Sequence, residues 1–68
     1  MVTVNAIGNS DPFDEPKELV MLIDAMHKAG RTVQVNTSYT REQLESGVIP
    51  NVLFIRTALG KADKVVTA

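Results

Sequence analysis

The sequence predicts a small α/β fold in which three parallel strands pack on one long helix. Residues 15–30 carry apolar side chains at helical spacing, and the segments on either side of them alternate apolar and polar residues. A helix between two strands forms a βαβ unit, whose strands run parallel and whose crossover is right-handed. With 68 residues, the chain has room for a single domain over residues 1–68.

The first strand is predicted over residues 1–7. Val2, Val4 and Ala6 alternate with Thr3 and Asn5, which is the period of a strand with one apolar face. Residues 8–13 follow with a high density of turn formers, which ends the strand.

The long helix carries one apolar stripe at positions i, i+3, i+4 and i+7, which is formed by Leu19, Leu22, Ile23 and Met26. Asp14 is the predicted N-cap, and Pro16 lies in the first turn, where no hydrogen bond is lost. Gly30 is predicted to end the helix. A second strand follows over residues 31–37, with Val33 and Val35 facing inward.

A short second helix is predicted from the capping box formed by Thr40 and Gln43, and Gly47 ends it. Residues 51–58 are predicted as the third strand, because residues 52–55 form an unbroken apolar run typical of a buried central strand. This places the strands in the order 2-1-3. Residues 64–67 are assigned to a short antiparallel edge strand, to a frayed tail or to a tail that only a partner orders.

Composition excludes several classes of site. The chain has no cysteine, one histidine and a net charge of −1. Disulfides and thiolate metal sites are therefore excluded, and a nucleic-acid module bound by bulk charge is disfavoured. No apolar run is long enough for a membrane span, so we expect a soluble cytoplasmic protein. A core this small favours association with another chain.

Charge is unevenly distributed along the chain. Acidic residues prevail in residues 1–27 and basic residues prevail in residues 28–68. Two interpretations remain open: the charges pair within the folded surface, or they form a bipolar surface that orients a partner.

Catalytic groups are not evident in the sequence. His27 could act as a general base only with a nucleophile and an orienting acid nearby, and the sequence nominates neither. No metal or cofactor set is evident either. We therefore expect a protein that is not an enzyme, with no catalytic residue, metal site or cofactor.

The leading functional hypothesis is a protein-interaction module, such as a small inhibitor, adaptor or assembly subunit. It would bind another protein or a second copy through the open sheet face or a sheet edge, and it would bind neither nucleic acid nor membranes. The candidate contact residues are Val20 and Met21 on the helix and Leu53 and Ile55 on the third strand. Isolated exposed apolar residues are also common on ordinary surfaces.

The alternative hypothesis is a small-molecule or anion binder. Open α/β sheets bind ligands beyond the carboxyl ends of parallel strands, where the strand order reverses. The candidate ligand-binding residues there are Asn9, Ser10, Asp11, Asn36, Tyr39 and Arg41. Loops favour these residue types in any case.

Residues 8–38 also resemble a βαβ unit of radical-SAM barrels. The resemblance is carried by a turn after a strand, a helix, a glycine and a strand that ends in Asn-Thr. The matching positions are Gly8, Asp11, Pro12, Gly30, Asn36 and Thr37. In that family the turn contacts the amino group of S-adenosylmethionine. The cysteine motif of the family is missing here, so its cluster chemistry does not carry over.

Overall fold

The computed structural model describes residues 1–8 and 15–68. Its elements are β1 (Val2–Asn5), α1 (Pro16–Lys28), β2 (Val33–Asn36), α2 (Arg41–Ser46), α3 (Val52–Gly60) and β3 (Lys64–Val66). The predicted small α/β fold with parallel strands is confirmed, and the first two strands and helices lie where the sequence placed them.

The sheet has the strand order β1-β2-β3, and both neighbouring pairs are parallel. The predicted order 2-1-3 is therefore wrong. It rested on placing the third strand in the apolar run, whereas the third strand is Lys64–Val66. This segment was predicted to be antiparallel if it formed a strand at all, but it pairs parallel to β2. The whole of α2 and α3 thus belongs to the crossover between β2 and β3.

The predicted strand at residues 51–58 is a helix, α3, and this is the main correction. A short apolar run has the same appearance in a buried strand and in a buried helix. Here the helical spacing decides the burial: Ile55 and Leu59 lie inside at i and i+4, and Ala58 lies beside them. Burial against the rest of the fold outweighs the strand preference of Val, Phe and Ile.

One face of the sheet forms the core. The buried side chains of the sheet all lie on this face: Ala6, Val33, Val35 and Thr37. Leu19 and Ile23 from α1 pack onto them, with Leu44 from α2 and the inner side of α3. Helices α1 and α3 also contact each other, and so they lie in one layer. Successive right-handed crossovers in the order β1-β2-β3 place their helices on the same side of the sheet, which explains this layer.

The opposite face of the sheet is mostly polar, with the partly exposed Val66 beside Asn36. Register pairs Thr3 with Gln34 and Asn5 with Asn36 on this face, and Gln34 pairs with Lys64. These side chains are exposed or half-buried. The amide of Gln34 donates a hydrogen bond to Asn36 Oδ1 at 2.9 Å. This face can therefore stay in contact with water, although parallel sheets are usually covered on both sides.

The helix ends follow the sequence signals closely. Pro16 is the first residue of α1, and the residue before it, Glu15, is the N-cap. The predicted N-cap Asp14 lies outside the described residues. Gly30 ends α1 with φ 75°, where its N–H donates to His27 and the N–H of Arg31 donates to Met26. These two bonds form a Schellman motif.

The predicted capping box of α2 is confirmed. Thr40 Oγ1 accepts a hydrogen bond from the Gln43 N–H, and Gln43 Oε1 accepts one from the Thr40 N–H. Gly47 ends the helix with φ 74°, as expected for a residue that must adopt the left-handed conformation.

Two polar links tie the ends of the strands together. At the carboxyl end, the buried Thr37 hydroxyl donates to the Ile7 carbonyl and accepts from the Tyr39 N–H. At the amino end, the Asp63 carboxylate accepts hydrogen bonds from His27 Nε2 and from the Val33 N–H, each at 2.8 Å.

Candidate interaction surface

Helix α3 presents two large apolar side chains to solvent. Leu53 is 73% exposed and Phe54 is 65% exposed, whereas Ile55, the next residue, is only 6% exposed. Each residue of a helix is rotated by about 100° from the one before it, so three consecutive apolar residues cannot all face the core. The inner side of α3 is already supplied by Ile55, Ala58 and Leu59. Leu53 and Phe54 are therefore directed outward.

Val48 adds a third apolar side chain in the connection that leads into α3. It is 83% exposed. The connection turns sharply because Gly47 and Asn51 both adopt the left-handed conformation, with φ 74° and 58°. We call Val48, Leu53 and Phe54 together the α3 surface. No part of the described chain covers these three side chains.

A groove of about 480 Å³ runs along this connection and the first turn of α3. It is lined by residues 47–54, so all three members of the α3 surface, Val48, Leu53 and Phe54, lie in its wall. A smaller hollow lies between Leu53, Phe54 and Thr57. On its other side, Phe54 lies beside the first turn of α1, next to Pro16 and Lys17. The α3 surface is therefore apolar and is bordered by shallow, open depressions.

The predicted partner-binding residues separate in the structure. Leu53 belongs to the α3 surface, while Ile55 is part of the core. Val20 is half-buried and packs against the core, and Met21 is 64% exposed on the outer side of α1. These four residues therefore do not form one patch. The strand assignment had placed Leu53 and Ile55 on one face, whereas a helix puts them on different sides.

The predicted ligand-binding residues do not converge either. Asn9, Ser10 and Asp11 lie outside the described residues. Asn36 is the last residue of β2 and points to the polar face of the sheet, where it is bonded to Gln34. Tyr39 is half-buried against the core, and Arg41 is exposed at the first position of α2.

The observed strand order also lacks the reversal on which the predicted ligand site depended. A crevice forms at the carboxyl edge of an open sheet where neighbouring crossovers lie on opposite faces. The order 2-1-3 would have provided such a point. In the order β1-β2-β3, the chain moves across the sheet in one direction, and no reversal occurs within these three strands.

The titratable groups that meet in the structure are His27 and Asp63, at the amino end of the strands. Hydrogen bonds from the His27 ring and from the Val33 N–H hold the pKa of Asp63 below its ordinary value. Both side chains are partly exposed. No nucleophilic side chain is bonded to this pair in the part of the chain that is described, so the pair links α1 to the turn before β3. Residues 1–8 and 15–68 bring no three His, Asp or Glu side chains together in a way that could hold a metal ion.

Val48 and Phe54 were not among the contact residues predicted from the sequence. The signal that identifies Phe54 is the helical spacing of Ile55 and Leu59, which directs Leu53 and Phe54 outward. Val48 precedes the helix, so this spacing does not identify it. The strand interpretation of the same run concealed this signal.

Comparison of the chain with protein-family models, with curated proteins and with solved structures finds no match. Among the described residues, no helix has the length and apolar character needed to cross a membrane.

Proposed function

We propose that this protein is a non-enzymatic interaction module that binds another protein through the α3 surface. It would act as an inhibitor, an adaptor or a subunit of an assembly. The observation that carries the proposal is the exposure of Leu53 and Phe54 beside a groove, on a helix whose other side is fully used by the core. Exposed apolar side chains that are grouped in this way mark protein-interaction sites.

The energetics favour an aromatic and aliphatic anchor at this position. Complete burial of one Leu or Phe side chain contributes about 1.5–3 kcal/mol. Because Leu53 is 73% exposed and Phe54 65% exposed, the two together offer about 2–4 kcal/mol from transfer out of water, before any hydrogen bonds at the rim. Interfaces are commonly dominated by a small central group of this kind. The exposed side chains cost the isolated protein nothing in core packing, so they are available to a partner.

The polar face of the sheet supports the proposal less well. Its side chains include Thr3, Asn5 and Gln34, which are polar and offer little apolar area. A partner on that face would gain little from burial. The α3 surface is therefore preferred over the open sheet face that the sequence suggested.

A photo-cross-linking experiment tests the proposal. A benzoylphenylalanine residue is introduced at Phe54, and in a matched variant at Met21, which is about equally exposed but lies on the outer side of α1. In the native host, we expect a discrete cross-linked partner from position 54 and none from position 21. Excess wild-type protein should compete with this adduct, because both occupy the same site on the partner.

The double variant Leu53→Gln/Phe54→Ser provides the control for competition. It should not compete, although its circular dichroism spectrum and urea midpoint should match the wild type, because neither side chain belongs to the core. The proposal fails if positions 54 and 21 give the same adducts, or if the double variant competes as well as the wild type.

A further inference from the structure

The outer edge of β1 carries backbone groups to which no residue in 1–8 or 15–68 hydrogen-bonds. The Val2 N–H donates to the Thr32 carbonyl at 2.9 Å, and the Ala6 N–H donates to the Asn36 carbonyl at 3.0 Å. In a strand, the N–H and C=O groups of alternate residues point to opposite sides. Since Val2 and Ala6 face β2, the backbone groups of Thr3 and Asn5 point away from it. No described residue hydrogen-bonds to them.

Within the described residues, β1 is a short strand whose outer edge carries no charge, proline or bulge that would block pairing. Natural edge strands are guarded by charged side chains, by proline or by a bulge. The residues of β1 are Val2, Thr3, Val4 and Asn5, which include no charge and no proline. Its pairing with β2 is regular, in register from the first residue to the last. The groups that point outward are therefore complementary to an extended backbone.

The pattern at this edge is complementary to itself. When two copies of β1 lie antiparallel with Val4 opposite Val4 of the second copy, each Thr3 faces the Asn5 of the other copy. These are the positions at which antiparallel residues exchange both backbone hydrogen bonds. The two pairs are related by a two-fold axis, which is the common symmetry of protein dimers.

Helix α1 adds apolar area beside the same edge. His27 of α1 bonds to Asp63, which precedes β3, and Lys17 lies beside Phe54 of α3. That flank of α1 thus faces α3 and β3. With a rotation of about 100° per residue, Leu22 and Ala25 lie on the opposite flank, above the outer edge of β1. Leu22 is half-buried and Ala25 is exposed, so both can contact a neighbouring helix.

Charge is complementary in the same arrangement. The first turn of α1 contains Glu18, and its last turn contains Lys28, with Arg31 just beyond the helix. A two-fold axis through β1 makes the two copies of α1 antiparallel. Glu18 of each helix then lies toward the basic end of the other. This agrees with the uneven distribution of charge along the sequence.

We propose that a second copy of this chain pairs with β1 along its outer edge, antiparallel and with Thr3 opposite Asn5, so that the two sheets become one. The two α1 helices pack beside each other through Leu22 and Ala25. This interface is separate from the α3 surface, which stays exposed in the dimer. The inference therefore does not depend on the proposed function.

Hydrogen exchange of the intact wild-type chain tests the pairing directly. The amides of Thr3 and Asn5 should exchange more slowly as the protein concentration rises from about 10 µM to about 1 mM, a range that spans weak association. The Ala6 amide, which is bonded within the fold, should be protected at both ends of the range. Sedimentation velocity over the same range should show a monomer converting to a dimer.

A charge exchange at the facing positions supplies matched variants. The variant Thr3→Lys/Asn5→Lys places like charges opposite each other in both pairs, whereas Thr3→Lys/Asn5→Glu places opposite charges there. Facing pairs on a sheet differ by about 1 kcal/mol with the sign of the charge, so two pairs should separate the association constants by about tenfold or more. Ala25→Arg should weaken the dimer, and Met21→Arg on the outer side of α1 should leave it unchanged.

Two results would overturn the inference. The first is a monomer at about 1 mM whose Thr3 and Asn5 amides exchange at the rate of an unprotected chain. The second is self-association that survives the two lysines but is abolished by Leu53→Gln/Phe54→Ser, because the second copy would then bind the α3 surface. The exchange measurement needs no variant, so poor folding of a variant cannot obscure the result.

Discussion

Thr37 joins the carboxyl ends of β1 and β2, and its substitution is the sharpest test of the described fold. The buried hydroxyl donates a hydrogen bond to the carbonyl of Ile7 and accepts one from the N–H of Tyr39. Ile7 is itself buried and has φ 56°, a conformation that β-branched residues rarely adopt. The hydroxyl therefore holds the strained end of β1 against the loop that follows β2.

The variant Thr37→Val removes the hydroxyl and keeps the branched shape. A buried carbonyl that loses its donor costs about 1–3 kcal/mol, and the Tyr39 N–H loses its acceptor as well. The added methyl group recovers part of this through burial. We expect a net loss of about 2 kcal/mol in the free energy of unfolding. For a domain of this size, that lowers the melting temperature by roughly 8–16 °C.

Thr37→Ser is the matched control, because it keeps the hydroxyl and loses the methyl group. It should cost about 1 kcal/mol, the transfer free energy of one buried carbon with a small cavity. Urea unfolding followed by circular dichroism gives both values. In addition, the Tyr39 amide should exchange faster in Thr37→Val only. If Thr37→Val proves as stable as Thr37→Ser, the hydroxyl does not hold this end of the sheet and the reasoning is refuted.

Two further sites give simple predictions. Gly47→Ala should destabilise the protein by about 1–2 kcal/mol, because φ is 74° at this position. Gly60→Ala should be neutral or stabilising by up to about 1 kcal/mol, because Gly60 lies in α3 with open space around it. The urea midpoints of the two variants measure both effects, and equal effects would contradict the assigned backbone. The pKa of Asp63 is lowered in the folded protein, so its charge stabilises the fold above its unfolded pKa of about 3.8 and this contribution is lost as pH falls through the lower folded value. Asp63→Asn keeps an acceptor for Val33 and His27 but removes the charge. The difference in the free energy of unfolding between this variant and the wild type should therefore be present at pH 6 and should shrink below about pH 4. A difference that does not change with pH would show that the charge does not contribute to stability.

The first half of the fold could be predicted because its signals are local. The alternation in β1 and β2, the stripe on α1 and the helix end at Gly30 each follow from neighbouring residues. The capping box of Thr40 and Gln43 is equally local and is present as predicted. Such signals need no knowledge of which elements will lie beside each other in space.

The second half could not be predicted in the same way. The run at residues 52–55 suits a strand and a helix about equally well on composition, and its helical form depends on burial against α1. β3 consists of three exposed residues, Lys64–Val66, which carry almost no pattern of their own. It becomes a strand because it pairs with β2, and this depends on the fold as a whole.

The candidate surface changed for the same reason. A strand would place Leu53 and Ile55 on one face, and both were predicted as contact residues of that strand. In the helix, Ile55 joins the core and Leu53 joins Phe54 outside. Because the run was assigned the period of a strand, the exposed Phe54 was not predicted as a contact residue and the buried Ile55 was.

The most direct test of the account compares the free energies of unfolding of Leu53→Ala and Ile55→Ala. The helix places the first side chain in solvent and the second in the core, so Leu53→Ala should change stability by no more than about 0.5 kcal/mol and Ile55→Ala should cost about 2–5 kcal/mol. Comparable losses in both variants would place both side chains inside, and would contradict both the helix and the surface on which the proposed function depends.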